Sequence, residues 1–121
     1  MSPLRKFLVV DDDAQARFLI SRTLLRHYPD ALVQECQDLN TAIEHLRGLA
    51  KDGRDTVVVA HQTPQMQGRK LVEALRAAHA SVPIVWTGRP EESDVATAAG
   101  ATRFLDGKAW LLVGKVVEDL V

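Results

Sequence analysis

Short apolar runs alternate along the chain with longer stretches in which apolar residues recur at helical spacing. The runs are rich in Val, Ile and Leu and are bounded by polar residues or glycine, which is typical of buried strands. They predict five strands, at residues 7–10, 31–36, 57–60, 82–87 and 102–105.

The stretches between these strands each predict one helix with a single buried stripe. The buried stripes of the first three helices are Ala16, Leu19, Ile20, Thr23 and Leu24; Ala42, Ile43, Leu46, Leu49 and Ala50; and, after Gly68, Leu71, Leu75 and Ala78. A fourth, alanine-rich helix at residues 91–99 is expected to end at Gly100.

Strands that are apolar on both faces and alternate with helices predict an α/β fold, with a mostly parallel sheet covered by helices on both sides. For five strands the doubly wound, flavodoxin-like solution has the order 2-1-3-4-5, with a crevice at the carboxyl ends of strands 1 and 3. The segments 11–13 and 60–62 both fall at that crevice. We expect one domain over residues 1–121.

Composition excludes several classes of protein. The net charge of −1 and the lack of a long basic run argue against nucleic-acid binding. No apolar run is long enough to span a membrane, and the first residues lack a signal peptide's hydrophobic region. Cys36 is the only cysteine, so a reducing, cytoplasmic location and a packing role for this thiol are expected.

Four motifs together resemble the receiver domain of bacterial two-component response regulators, a CheY-like domain. They are Val-Val-Asp11-Asp12-Asp13, Thr63-Pro64-Gln65-Met66-Gln67-Gly68, Pro83-Ile84-Val85-Trp86-Thr87-Gly88, and Gly100-Ala101 leading to Phe104-Leu105 and Lys108. The resemblance implies that acids after strand 1 hold Mg²⁺ and that a histidine kinase phosphorylates an aspartate at the end of strand 3. It also implies that a Thr or Ser and a Lys contact the phosphate.

The chain departs from this pattern at the phosphoacceptor. The family's acceptor lies four residues before the loop proline and eight before the glycine, and from Pro64 and Gly68 both counts reach Ala60. A methyl group has no lone pair with which to attack phosphorus. The sequence therefore predicts an atypical, non-enzymatic receiver that lacks the phosphoacceptor aspartate.

The remaining acids predict at most weak metal binding and no dedicated cofactor. Without a third carboxylate, Asp11 and Asp12 could hold only a loosely bound, hydrated Mg²⁺. Alternatively, Asp12 or Asp13 caps the first helix.

Thr87 matches the switch hydroxyl of the family, whereas the lysine is displaced by one position. Thr87 lies at the hydroxyl position, although a β-branched residue also suits a strand end. Three residues past Phe104 the chain has Gly107, with Lys108 one position later. Lys108 therefore either misses the crevice or reaches in and offsets the repulsion among the acids; both possibilities stay open.

Three further side chains have two interpretations each. Phe104 matches an aromatic that reorients in phosphorylatable relatives, but it is also an ordinary half-buried strand residue. His61 neighbours Ala60 and is expected to point away from the crevice, in a loop or packing role. His27 and His79 are expected to interact with the C-terminal dipoles of helices 1 and 3.

The last helix carries more apolar residues than one core-facing stripe can bury. Trp110, Leu111, Val113 and Val117 therefore predict a partner-binding face, for a histidine kinase, an output protein or a second copy. Continuation into another domain, or scattered surface residues, would also explain the pattern.

Our leading hypothesis is a module of two-component signalling that acts by protein–protein contact. One alternative is phosphotransfer through Asp12, Asp11 or His61. The other is binding of a small ligand in the vacated crevice.

Overall fold

A computed structural model of the protein describes residues 5–49, 55–61, 68–118 and 120. The strands in these residues are β1 (Lys6–Val10), β2 (Leu32–Cys36), β3 (Thr56–His61), β4 (Ile84–Gly88) and β5 (Arg103–Asp106). The helices are α1 (Ala14–His27), α2 (Leu39–Arg47), α3 (Gly68–Ala78), α4 (Ser93–Ala99) and α5 (Val113–Glu118). All five predicted strands are confirmed, with ends that lie within two residues of those expected.

The five strands form one parallel sheet in the order β2-β1-β3-β4-β5, which confirms the doubly wound prediction. Alternate residues of each central strand face opposite layers of helices. Phe7 and Val9 pack with α1 and α5, whereas Leu8 and Val10 pack with α2 and α3. Because both faces of the central strands are buried, their sequences are continuously apolar.

The helix ends follow from local chemistry. Asp13 caps α1 by accepting hydrogen bonds from the backbone N–H groups of Gln15 and Ala16. Asp38 caps α2 through the N–H of Thr41 at 2.8 Å, and this bond lowers the pKa of the Asp38 carboxyl. Gly100 ends α4, as expected, with a φ of 116° that a residue with a Cβ rarely adopts.

Two helix predictions need correction. Leu19 was expected in the buried stripe of α1, but it is exposed, and Ile20, Ser21 and Leu24 are the buried residues of that helix. The fourth helix was expected to begin at residue 91, but α4 begins at Ser93. A 3-10 turn, Pro90–Glu92, precedes it and starts at a proline, which suits the first turn of a helix. The predicted contribution of Ala50 to the α2 stripe lies outside the described residues.

The segment after β5 also differs from the prediction. A 3-10 segment, Gly107–Leu112, is interrupted at Ala109 before α5 begins. Val113 and Val117 were expected on a partner face, but both are fully buried against the sheet. Trp110 is half-buried at the edge of that cluster, and Leu111 is 66% exposed. Within the described part of the chain, no helix combines the length and apolar character needed to cross a bilayer.

Candidate functional site

The ends of β1 and β3 lie side by side at the predicted crevice. Val10 pairs with Ala60 in the sheet, and Ala60 pairs with Trp86 on its other side. The Ala60 side chain is fully buried and belongs to the same apolar cluster as Val10. The last core-facing residue of β3 therefore contributes a methyl group and no oxygen.

Asp11 is the buried acid of the crevice. Its side chain is only 2% exposed, and Oδ1 accepts a hydrogen bond from the backbone N–H of Asp13 at 2.9 Å. Burial raises the pKa of the Asp11 carboxyl, and the hydrogen bond from the Asp13 backbone and the electrostatic influence of His61 oppose that rise. The net pKa is raised, so the ionised carboxylate is costly in this position.

The acids do not fit the magnesium site that the family resemblance implies. Asp13 is engaged as the cap of α1, and Asp12 is half-buried beside it. At the end of β3 the side chain of Ala60 offers no ligand atom. Among the described residues, no three His, Cys, Asp or Glu side chains form a group that could hold a metal ion. Mg²⁺ prefers near-octahedral oxygen coordination, so Asp11 and Asp12 by themselves could hold only the loosely bound, hydrated ion expected from the sequence.

His61 lies inside the crevice, so the expectation that it points away is wrong. Its Nδ1 is 2.6 Å from Oγ1 of Thr87, and the two residues pair across β3 and β4. Alternation does put His61 on the face opposite Ala60. However, both residues lie at the carboxyl end of the strand, where side chains from the two faces of the sheet border the same crevice.

Thr87 is 3% exposed and lies where the resemblance puts the switch hydroxyl. Besides the contact with His61, its Oγ1 is 3.4 Å from the carbonyl oxygen of Ala60. The hydroxyl is thus held by two groups of β3.

Gly107, which the count from Phe104 assigns to the position of the family's lysine, packs against His61. A Cβ added to Gly107 would lie 3.3 Å from Cε1 of the His61 ring. Lys108 is exposed, and its backbone N–H donates to Oδ1 of Asp106 at 3.0 Å. Within the described ranges, no ion pair joins Lys108 to Asp11 or Asp12, which favours the possibility that Lys108 misses the crevice.

Phe104 is half-buried and packs edge-on against Trp86, with ring centroids 6.3 Å apart and planes at 85°. Trp86 is fully buried between α3 and α4, in a cluster with Val72 and Ala96. Its buried Nε1–H has no hydrogen-bond acceptor among the residues that the structure describes. The environment of Phe104 is therefore that of a packed strand aromatic.

The other two singled-out histidines have different roles. His27 ends α1, as expected for a dipole interaction, and its Nε2 lies 3.2 Å from Oε1 of Glu118. His79 is buried, and its Nδ1 accepts hydrogen bonds from the backbone N–H groups of Ser81 and Val82. These two hydrogen bonds hold the loop before β4 in place.

Arg17 is a residue of the site that the sequence analysis missed. Its Nη1 donates to the backbone carbonyl of Asp11 at 2.7 Å, and its Nε lies 3.4 Å from Oε1 of Glu35. The signal available in the sequence was a lone basic residue one turn into α1, directly after three acids. Arg17 fixes the backbone that presents Asp11.

Comparisons with known proteins agree with this architecture. The family model of the response regulator receiver domain matches residues 7–108. No curated protein is similar enough in sequence to match the chain.

Solved structures of receiver domains match nearly the whole chain. The chemotaxis response regulator CheY4 of Vibrio cholerae is 25% identical, with a TM-score of 0.74, over 98% of this chain and 100% of that one. The receiver domain of the putative response regulator NarL from Mycobacterium tuberculosis is 23% identical, with a TM-score of 0.73, over 97% and 96%. The receiver domain of the DNA-binding response regulator merR from Colwellia psychrerythraea is 17% identical, with a TM-score of 0.77, over 96% and 97%. Since the family model spans most of the sequence and the sheet has the expected order, the chain belongs to the response regulator receiver domains of two-component signalling.

Proposed function

We propose that this receiver domain is not phosphorylated on an aspartate and signals by protein–protein contact. The observation that carries the proposal is Ala60, which the family's spacing assigns to the phosphoacceptor position and which is buried at the end of β3 beside Val10. A receiver normally gains an acyl phosphate there, and an alanine cannot form one. Under this proposal the protein is a non-enzymatic signalling module.

The surroundings of Ala60 support the same conclusion. The acid that follows the neighbouring strand, Asp11, is buried, and its Oδ1 is engaged by the backbone of Asp13. The hydroxyl of Thr87 is engaged by His61. Neither group is poised to receive or stabilise a phosphoryl group.

A phosphodonor experiment tests the chemical part of the proposal. The protein is incubated with radiolabelled acetyl phosphate and Mg²⁺, beside a receiver domain that carries the acceptor aspartate as a positive control. We expect no label that hydroxylamine releases, since hydroxylamine cleaves an acyl phosphate. Stoichiometric, hydroxylamine-sensitive label would overturn the proposal. If label appears, its loss in Asp12→Ala, Asp11→Ala or His61→Ala identifies a surrogate acceptor.

The proposed contact surface is the exposed part of the segment that follows β5. Leu111 is 66% exposed and Leu112 is 53% exposed, and together they leave adjacent apolar side chains in solvent. The partner would be a second copy, a histidine kinase or an output protein. We expect light scattering to show concentration-dependent self-association of the wild type, and Leu111→Ser to weaken it.

A core variant provides the matched control for this experiment. Val113→Ala changes a buried residue of the neighbouring turn, so it should lower thermal stability while leaving self-association of the folded protein intact. Equal monomer masses for wild type and Leu111→Ser at high concentration would remove the second copy as a partner.

A further inference from the structure

We infer that His61 is a resident side chain of the crevice that holds Thr87 and occupies the space beside Gly107. The crevice would then be closed to a phosphoryl group at residues 61 and 107 as well as at residue 60. The inference rests on the proposed function and extends it, because it makes the loss of phosphorylation a property of three coupled positions.

The first argument is the hydrogen bond to Thr87. Nδ1 of His61 and Oγ1 of Thr87 are 2.6 Å apart, and Oγ1 is 3.4 Å from the carbonyl oxygen of Ala60. Both contacts are satisfied together when Nδ1–H donates to Oγ1 and Oγ1–H donates to the carbonyl. A ligand that needs the Thr87 hydroxyl must first displace His61 from it.

The second argument is steric. The imidazole of His61 lies against the backbone of Gly107, and a Cβ there would lie 3.3 Å from its Cε1 and 3.5 Å from the carbonyl oxygen of Gly88. Such a Cβ is closer to the ring than an ordinary van der Waals contact. A side chain at position 107 therefore requires the His61 ring to shift by a few tenths of an ångström.

The inference is tested by rebuilding a phosphate site in steps. Mg²⁺-dependent binding of beryllofluoride, a phosphoryl mimic, is measured by 19F NMR in four proteins. They are the wild type, the double variant Ala60→Asp with Gly107→Lys, and two triple variants that add either His61→Asn or His61→Ala to the double variant. The asparagine side chain carries a nitrogen at the same number of bonds from the backbone as Nδ1 of histidine. It can therefore still bind Thr87 while it leaves Gly107 uncovered.

The four proteins should differ in a fixed order. We expect the double variant to bind weakly and the triple variant with His61→Ala to bind about tenfold more tightly, since the His61 hydrogen bond to Thr87 and its close contact with position 107 are both removed. The triple variant with His61→Asn should fall between them. Equal affinity in the double variant and the triple variant with His61→Ala would overturn the inference, and so would no binding in any folded variant. Binding by the wild type would instead overturn the proposed function, so the two failures are distinguishable.

A second measurement does not depend on folding of the multiple variants. The 15N shifts of the His61 imidazole are compared in wild type, Thr87→Val and Thr23→Val, the last changing a threonine whose hydroxyl donates within α1. We expect a change at Nδ1 in Thr87→Val alone. Identical His61 shifts in all three proteins would contradict the hydrogen bond on which the inference depends.

Discussion

His27, the last residue of α1, packs so closely on Gly114 of α5 that a Cβ on Gly114 would lie 2.6 Å from the imidazole Cγ. The same junction includes a contact of 3.2 Å between His27 and Glu118 and a hydrogen bond from the Tyr28 hydroxyl to the carbonyl of Gly114. The approach of α1 to α5 therefore depends on the missing side chain of Gly114.

Gly114→Ala should destabilise the fold by about 1–3 kcal/mol, because the methyl group overpacks a contact between two helices. Gly48→Ala is the matched control, since its added Cβ would meet only the carbonyl oxygen of His45 at 3.6 Å. Urea unfolding should show a lower midpoint for Gly114→Ala and a midpoint equal to or above wild type for Gly48→Ala. Equal midpoints for the two variants would show that α1 and α5 separate without cost.

Arg76 of α3 connects the loop before β4 with the end of α4. Its guanidinium donates to the carbonyl oxygens of His79, Ala80, Val82 and Gly100 at 2.7–3.3 Å. Arg76→Ala leaves several of these carbonyls without a donor, so we expect a loss of about 1.5–3 kcal/mol in the free energy of unfolding.

Arg69→Ala is the control in the same helix, because Arg69 forms an exposed ion pair with Glu73. Such pairs contribute about 0.3–0.5 kcal/mol, so its unfolding midpoint should stay near that of wild type. Comparable losses for the two arginine variants would contradict the role assigned to Arg76.

Cys36 should be an unreactive thiol in the native protein. It is fully buried at the end of β2, and burial raises the pKa of its thiol to about 11. At about pH 8 this lowers the thiolate fraction about hundredfold relative to an unperturbed thiol. Reaction with a disulfide reagent should be slower than in urea by at least that factor. Since Cys36 is the only cysteine, the reaction has one site, and equal rates would contradict its burial.

Asp11→Asn should stabilise the domain at neutral pH. Burial raises the pKa of Asp11 in the folded state, so the folded protein takes up this proton at a higher pH than the unfolded chain does. The ionised carboxylate then costs stability above the folded-state pKa, and that cost disappears as the pH falls through it. Asparagine keeps an oxygen to accept from the Asp13 N–H without the charge.

The measurement is the urea midpoint of wild type and Asp11→Asn from about pH 7 down to about pH 4, which is close to the ordinary pKa of an aspartate carboxyl. The urea midpoint of Asp11→Asn should be higher than that of wild type at about pH 7, and the difference between the two midpoints should shrink as the pH falls. Asp94→Asn, which changes an exposed acid of α4, should show no such convergence. A constant difference between wild type and Asp11→Asn would show that Asp11 is not the titrating group.

Some residues of the crevice could be predicted from the sequence, and others could not. Counting from Pro64 and Gly68 located Ala60 at the end of β3 without any coordinates, and the acids after β1 followed from the end of the predicted first strand. The contact of His61 with Thr87 was missed, because period-two alternation assigns a residue to a face of its own strand. It does not say which side chains of neighbouring strands meet beyond the sheet's edge.

The burial of side chains in the segment after β5 could not be predicted from the sequence pattern either. A helical stripe could be counted from Trp110, but the residues up to Leu112 form a 3-10 segment, and α5 begins only at Val113. In this arrangement Val113 and Val117 are buried while Leu111 remains exposed.

The sequence by itself determined the strands, their doubly wound order and the alanine at the end of β3, because these depend on local hydrophobic periodicity and on fixed spacing along the chain. Only the tertiary structure decided the neighbours of Thr87, the packing of His61 against Gly107 and the burial of α5. Those depend on the register of strands that are far apart in sequence, and a one-residue change in register or helical phase exchanges the buried and exposed side chains.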